Sequence, residues 1–285
     1  MTEIDQFESV FRAADKPRFH YKKWDIQSVC VVSDMPTEQL RLFSTQATNF
    51  LQACCDGQEL DVKHLGADDC ASIPQMLQKI EAGSPDIIVT YRNLFTPAAD
   101  HPYSLGTHLD VMTQATRIPI LVMPDPRVDS GNLSYSPPRN TMAVTDHLAG
   151  DEHLVNYAVS ITPAGQTLWL THVEDDVTLE RYLTTISKIP QIDTETARTE
   201  ITDQLLKEPK DYIRICKESL LESGADCTIE QEIVLGHHLS VYKRLIEQHA
   251  IELLVLNTKD EDQLAMHGQA YPLTIELRDT PILLL

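Results

Sequence analysis

Residues 27–34, QSVCVVSD, form a short apolar run rich in β-branched side chains. The stretch after it, TEQLRLFSTQATNFLQACC, sets Leu40, Phe43, Ala47, Phe50 and Leu51 at helical spacing. A strand feeding a helix is predicted there. The same order returns past the middle of the chain, where TMAVTD, residues 141–146, precedes EHLVNYAVSI with Leu154, Tyr157 and Ala158 on one face. Both strand patterns end on an aspartate, Asp34 and Asp146.

Later in each half a continuous apolar run follows a helix pattern: DIIVTYRN at 86–93 and IELLVLNT at 251–258. Such runs are expected of strands buried on both faces of a parallel sheet. Each half then closes on a glycine, a helix pattern and a proline that launches an apolar strand. Gly106 to Pro119 and Gly268 to Pro281 both span 13 positions, the mark of an internal repeat. Alternating strands and helices predict an α/β fold: two tandem doubly wound, mostly parallel sheets with helices on both faces and right-handed crossovers.

The copies are unequal: Asp34 to Gly106 spans 72 positions and Asp146 to Gly268 spans 122. Between the first helix and DIIVTYRN there is one strand pattern, ELDVKHL, and one helix pattern, SIPQMLQKIEAG. The second half has two strand patterns there, TLWLTHV and TIEQEIVLG. They flank a charged helical region from about Val177 to Ser223, broken near Pro190. A shortened first sheet of four strands and a second of five are therefore expected. The proline-bearing stretch PDPRVDSGNLSYSPPRN, residues 124–140, separates the copies. The expected divisions are an N-terminal extension 1–25, a first domain 26–124, a linker 125–138, and a second domain 139–285 carrying the long helical insertion.

A chain of 285 residues, 42% of them hydrophobic, is long enough for two ordinary cores. Lys and Arg number 23 against 43 Asp and Glu, a net charge of -20, which argues against nucleic acid or an anionic membrane as partner. No apolar run approaches the roughly 20 residues of a membrane span. The acidic start, MTEIDQFESVFRAADK, lacks the pattern of a signal peptide, so a cytoplasmic location is expected. The six cysteines show no Cys-x-x-Cys or zinc-type spacing and read as reduced thiols, with the Cys54-Cys55 pair open between a structural and a redox reading.

The order of these pieces in two copies resembles the universal stress protein family, specifically its tandem members with two such domains on one chain. The resemblance covers roughly residues 26 to 285. It rests on the strand-ending Asp34 and Asp146, the glycine Gly236 in VLGHHLSVYKRLIEQHAIELLVL, the apolar strands after Asp86 and Glu252, and the closing Gly-helix-Pro-strand. It implies domains that pair through their last strands, giving an intramolecular pseudo-dimer, and it leaves a homodimer open.

Many members of that family bind ATP through a Gly-x-x-Gly step and a later Gly-Ser or Gly-Thr step, because glycines let backbone N–H groups approach phosphates. This chain departs from the pattern in both halves. Gly106-Thr107 matches the last step, but Tyr91 and Leu94 stand where the first two glycines belong. In the second half Asn257 and Asp260 replace them, Gly268 is followed by Gln269, and KDEDQ, residues 259–263, sets three carboxylates where a triphosphate would lie. ATP binding in the standard mode is not expected in either half.

Ligands in open parallel sheets sit outside the carboxyl ends of the strands. In the second half those ends carry Asp146, His147, His172, His237 and His238, with Gly268 opening the last helix; these are the candidate ligand-binding residues. Asp34, Gly106 and Thr107 are the degenerate first-half counterpart. Imidazoles and carboxylates from several strand ends suit a divalent metal. The competing reading has His237 and His238 at a loop turn and His172 packed under a helix. Asp34 and Asp146 remain open between a place by a nucleoside, as in nucleotide-binding relatives, and a turn-capping role.

No nucleophile elbow, phosphate loop or nucleophile-base pair appears, so no catalytic residue is assigned and an enzyme is not expected. The helical excess is open between packing on its own domain and docking another chain. The leading expectation is a non-enzymatic stress-response protein that binds a protein partner or a small ligand. The alternatives are an adenine-nucleotide or metal sensor working through the second half, and a nucleotide hydrolase. No cofactor is required, and ATP and a divalent metal are the candidates.

Overall fold

The computed structural model describes residues 19–70, 72–96, 103–127, 136–145, 148, 151–258, 266 and 270–285. The first half runs β1 (Ser28–Val32), α1 (Thr37–Cys54), β2 (Asp61–Leu65), a 3-10 turn (Ala67–Cys70), α2 (Ile73–Gly83), β3 (Ile87–Tyr91), α3 (Thr107–Ala115) and β4 (Ile120–Met123). The second runs β5 (Asn140–Thr145), α4 (Glu152–Ile161), β6 (Thr167–Asp175), α5 (Asp176–Ile186), α6 (Thr194–Glu222), β7 (Thr228–Gly236), α7 (His238–Gln248), β8 (Leu253–Leu256), α8 (Ala270–Glu276) and β9 (Ile282–Leu284). The first half thus contributes four described strands and the second five.

The two expected sheets meet edge to edge in one nine-stranded sheet of order β2-β1-β3-β4-β9-β8-β5-β6-β7. Every pairing is parallel except the central one, β4 with β9, which sets Ile120 opposite Leu284, Leu121 opposite Leu283 and Val122 opposite Ile282. Those strands follow Pro119 and Pro281, so the repeated Gly-to-Pro segment delivers the two strands that join the halves. All their residues are buried, and one apolar cluster runs through both halves. Burial of so many Val, Ile and Leu side chains on both faces supplies the main driving force for this architecture.

The helices follow their apolar stripes. Leu40, Phe43, Ala47, Phe50 and Leu51 of α1 are all buried. In the long α6 the buried positions Pro209, Tyr212, Ile213, Cys216 and Leu220 lie in the carboxyl-terminal half, while its first turns project with few core contacts. Asp151, Asp175 and Asp193 cap α4, α5 and α6 by accepting backbone N–H groups of the first turn.

The N-terminal extension contributes a strap across the second half. Phe19 meets Tyr212 edge to face at 6.5 Å. The Lys22 N–H donates to Asn156 Oδ1 at 2.9 Å, and Asn156 returns a bond to the His20 carbonyl at 3.0 Å. The Trp24 N–H donates to Ser160 Oγ at 2.9 Å, and the Trp24 ring stacks on Tyr157 at 4.5 Å. Residues 19–24 therefore lie along α4 of the second half before the chain enters β1 of the first.

Two switch points result. In the first half β1 is flanked by β2 and β3, and the strand order reverses between β1 and β3. In the second half β5 is flanked by β6 and β8, and the order reverses between β5 and β8. These are the places where an open α/β sheet forms a crevice.

Candidate functional site

Asp34 lies just past β1 and Tyr91 closes β3, so the two face each other at the first switch point. The Tyr91 hydroxyl donates to Asp34 Oδ1 and lies 2.9 Å from Ser33 Oγ. The Phe95 N–H donates to Asp34 Oδ2 at 2.8 Å. Arg127 Nη1 stands 3.1 Å from the same oxygen, and its guanidinium sits over the Tyr91 ring, 4.8 Å from the centroid.

The rest of that guanidinium is equally engaged. Nη2 donates to the carbonyls of Arg92 at 3.0 Å and Asn93 at 3.1 Å, and to Asp125 Oδ2 at 2.8 Å. Nε donates to Asp125 Oδ1 at 2.9 Å. The side chains of Arg127 and Asp34 are 27% and 14% exposed, so a cation of the chain itself fills the crevice mouth. Its hydrogen bond to Asp125, with the charge of Asp34 adding to it, raises the Arg127 pKa further. Burial, then the hydrogen bond to Asp34, raises that of Tyr91.

The loop after β3 is closed as well. Asn93 and Phe95 take positive φ of 57° and 60°, and the Asn93 N–H donates to the Leu105 carbonyl at 2.8 Å. Leu94 is fully buried. Gly106 has φ of +83°, and a Cβ there would meet Asn93 Cα at 2.8 Å. A glycine is required because backbone packs on backbone at this point. Thr107, exposed, opens α3.

In the second half Asp146, His147 and Gly268 lie outside the described residues, as does KDEDQ. His172 is 5% exposed within β6, with Nε2 3.2 Å from Glu174 Oε2. His237 is exposed, and its carbonyl accepts the Val241 N–H and the Ser240 hydroxyl, both at 3.0 Å. His238 opens α7 beside Asp175. The Asp175 carboxyl is held low first by the Thr178 hydroxyl and, less strongly, by His238. β6 and β7 are the first and second neighbours of β5, and at about 5 Å per strand His238 stands roughly 10 Å from the switch point. Among the described residues no group of three or more His, Cys, Asp or Glu could hold a metal ion.

Asn257, just past β8, donates from Nδ2 to Asp151 Oδ2 at 3.1 Å, and Asp151 also caps α4 through the Leu154 N–H at 3.0 Å. Tyr91 and Asn257 thus each form a polar tie between the two sides of their switch point. Burial pushes the Cys55 thiol up to about 11 and Cys54 well above its ordinary range, so neither is a thiolate at neutral pH.

Sequence reasoning missed Arg127 and Asp125, which fall inside the stretch expected to be linker. The only signal was an arginine closely following β4 in Pro-Asp-Pro-Arg, at the end of the sheet where Asp34 also emerges.

Neither a protein-family model nor a curated protein matches this sequence. Solved structures do. Universal stress proteins are among its structural neighbours. A putative universal stress protein from Pseudomonas aeruginosa UCBPP-PA14 is similar over 91% of this chain and 93% of its own, at 14% identity and a TM-score of 0.48. A universal stress protein from Archaeoglobus fulgidus DSM 4304 is similar over 91% of this chain and 85% of its own, at 10% identity and a TM-score of 0.44. A functionally unknown protein from Pseudomonas aeruginosa PAO1 is similar over 91% and 92%, at 14% identity and a TM-score of 0.47. Among the described residues no helix is long and apolar enough to cross a membrane.

Proposed function

We propose that this chain is a stress-response protein of the tandem universal stress type, acting by binding rather than turnover, with its first half serving as scaffold. The observation that carries this reading is the occupation of Asp34 by Tyr91, Phe95 and Arg127. A carboxylate that would have to receive a nucleoside already has its oxygens engaged, and the loop that would have to approach phosphates is packed against Gly106. Displacing Arg127 would take a shared charged donor from the carbonyls of Arg92 and Asn93 and from the carboxylates of Asp34 and Asp125, a cost that weakens any ligand entering there.

On this reading the ligand- or partner-binding role belongs to the second half, at the β5–β8 switch point, with Asp146, which follows β5 in sequence, and Gly268 as candidates, and with His172, His237 and His238 on the outer strands. Strand ends carrying imidazoles and carboxylates, and a second half with one more strand than the first, favour this side. The test is mass spectrometry and metal analysis of protein purified without added ligand, followed by the same assays on Asp146→Ala and His238→Ala. A small molecule or metal that copurifies and is lost in Asp146→Ala supports the reading. A ligand retained in that variant and lost in Asp34→Ala overturns it.

A further inference from the structure

The two edges of the sheet are built differently. At one edge β2 has five residues, and its Asp61 N–H bonds inward to the Gln27 carbonyl at 2.8 Å. In a parallel strand the N–H and C=O of one residue point the same way and alternate along the chain, so only Val62 and His64 face outward there. That edge carries Lys63, and His64 is tied back to Ser44 at 2.6 Å, devices that discourage strand addition.

At the other edge β7 has nine residues and is paired with β6 along its whole length, Thr228 opposite Thr167 through Gly236 opposite Asp175, with no bulge or proline. The Thr228 N–H bonds inward to the Gln166 carbonyl at 2.9 Å. Ile229, Gln231, Ile233 and Leu235 therefore turn their backbone N–H and C=O groups outward. Among the described residues no strand pairs with this edge and no hydrogen bond reaches those N–H groups. No residue of β7 is buried, and the strand carries two glutamates and no lysine or arginine. Glu232 accepts from His249 Nε2 at 3.0 Å, and exposed Glu230 has no cation paired with it among the described residues.

We propose that β7 is a docking edge for an extended segment of another protein in which lysine or arginine alternates with apolar residues. Backbone bonds to the four outward residues would hold the segment. Its basic side chains would lie beside Glu230 and Glu232 on one face, and its apolar ones beside Ile229, Ile233 and Leu235 on the other. A second copy of β7 fits less well, because it brings the same glutamates to the seam. This surface lies on the outer side of β7, two strands beyond β5, and stands whether or not a ligand occupies the β5–β8 crevice.

The probe is a blocked synthetic peptide of alternating lysine and valine, about seven residues long to match the edge. A second peptide of equal composition has its lysines grouped. Fluorescence anisotropy with the full chain should show saturable binding of the first and about tenfold weaker binding of the second. Gln231→Pro removes an outward N–H while leaving the ladder to β6 intact, and should weaken binding about tenfold or more with an unchanged circular dichroism spectrum. Equal binding of the two peptides, wild-type binding by Gln231→Pro, or absence of saturable binding overturns the proposal. Should Gln231→Pro fail to fold, hydrogen exchange on the unaltered chain decides: the amides of Ile229, Gln231, Ile233 and Leu235 should slow about tenfold with the alternating peptide, and unchanged rates refute it. Self-association in sedimentation that Gln231→Pro abolishes would assign the edge to a second copy instead.

Discussion

Arg127 Nη1 lies 3.1 Å from Asp34 Oδ2, carrying a cation from just past β4 onto the carboxylate that follows β1. The pair is mostly shielded, and Asp125 completes it at 2.8 Å. Truncating the cation removes the donor shared by two carboxylates and two carbonyls, although Asp34 keeps the Tyr91 hydroxyl and the Phe95 N–H. Arg127→Ala is expected to lose about 2–3 kcal/mol of stability in urea unfolding at neutral pH. Arg127→Lys should restore half of that or less, because a point charge cannot reproduce the fork that reaches Asp34, Asp125 and the carbonyls together.

Gly106 is held where side chains are excluded both by its φ of +83° and by Asn93 Cα, 2.8 Å from where a Cβ would sit. Gly106→Ala should destabilise by about 1–3 kcal/mol, measured by thermal or urea unfolding. Gly57→Ala is the control: its φ is +77° but nothing lies within 4 Å, so it should show the backbone cost without the clash.

Much of this fold was legible because strands buried on both faces and helices with one apolar stripe leave different periodicities. DIIVTYRN, IELLVLNT and the stripe of α1 became β3, β8 and α1. The unequal halves were legible for the same reason, since TLWLTHV and TIEQEIVLG are apolar runs on either side of a charged helical region. The β4–β9 seam was reached through family resemblance, because Leu121 and Leu283 have no local pattern that names each other. Arg127 left no periodic trace: its partners Asp34 and Asn93 are distant in sequence, and its own segment is proline-rich. The strap was illegible too, as Lys22 and Trp24 bind Asn156 and Ser160 without forming a strand.

Asp86 Oδ2 accepts the Gln27 N–H at 2.9 Å and the Ser28 N–H and hydroxyl, both at 2.8 Å, clamping the starts of β1 and β3. Burial alone would raise its pKa, but these three donors outweigh it and the group titrates below its ordinary value. A depressed carboxylate contributes stability above the unfolded value of about 3.9, and that contribution fades as pH falls through the lower folded value. Asp86→Asn should therefore cost about 1 kcal/mol at neutral pH. Its gap from the unaltered protein should shrink as pH falls below the unfolded value and vanish once the folded carboxyl is protonated, as read from urea midpoints across pH.

Leu283 of β9 faces Leu121 of β4 at the seam, and both are fully buried. Because one apolar cluster runs through both halves, the chain should unfold in a single cooperative transition. Leu283→Ala should cost about 2–5 kcal/mol. Hydrogen exchange should show lowered protection in β1 and β3 as well as in β8; loss confined to the second half would mean the halves unfold separately.

The closed first-half crevice is best examined by calorimetry of MgATP with the intact chain, since a fragment ending near residue 138 would bare the β4 edge that β9 covers. Three proteins are compared: the unaltered chain, Asp34→Ala and Asp146→Ala. Any heat of binding should survive Asp34→Ala and vanish in Asp146→Ala, placing the nucleotide in the second half, or be absent from all three. Micromolar binding that persists in Asp146→Ala and is lost in Asp34→Ala would show that nucleotide displaces Arg127, and that the first half is a working site and not a scaffold.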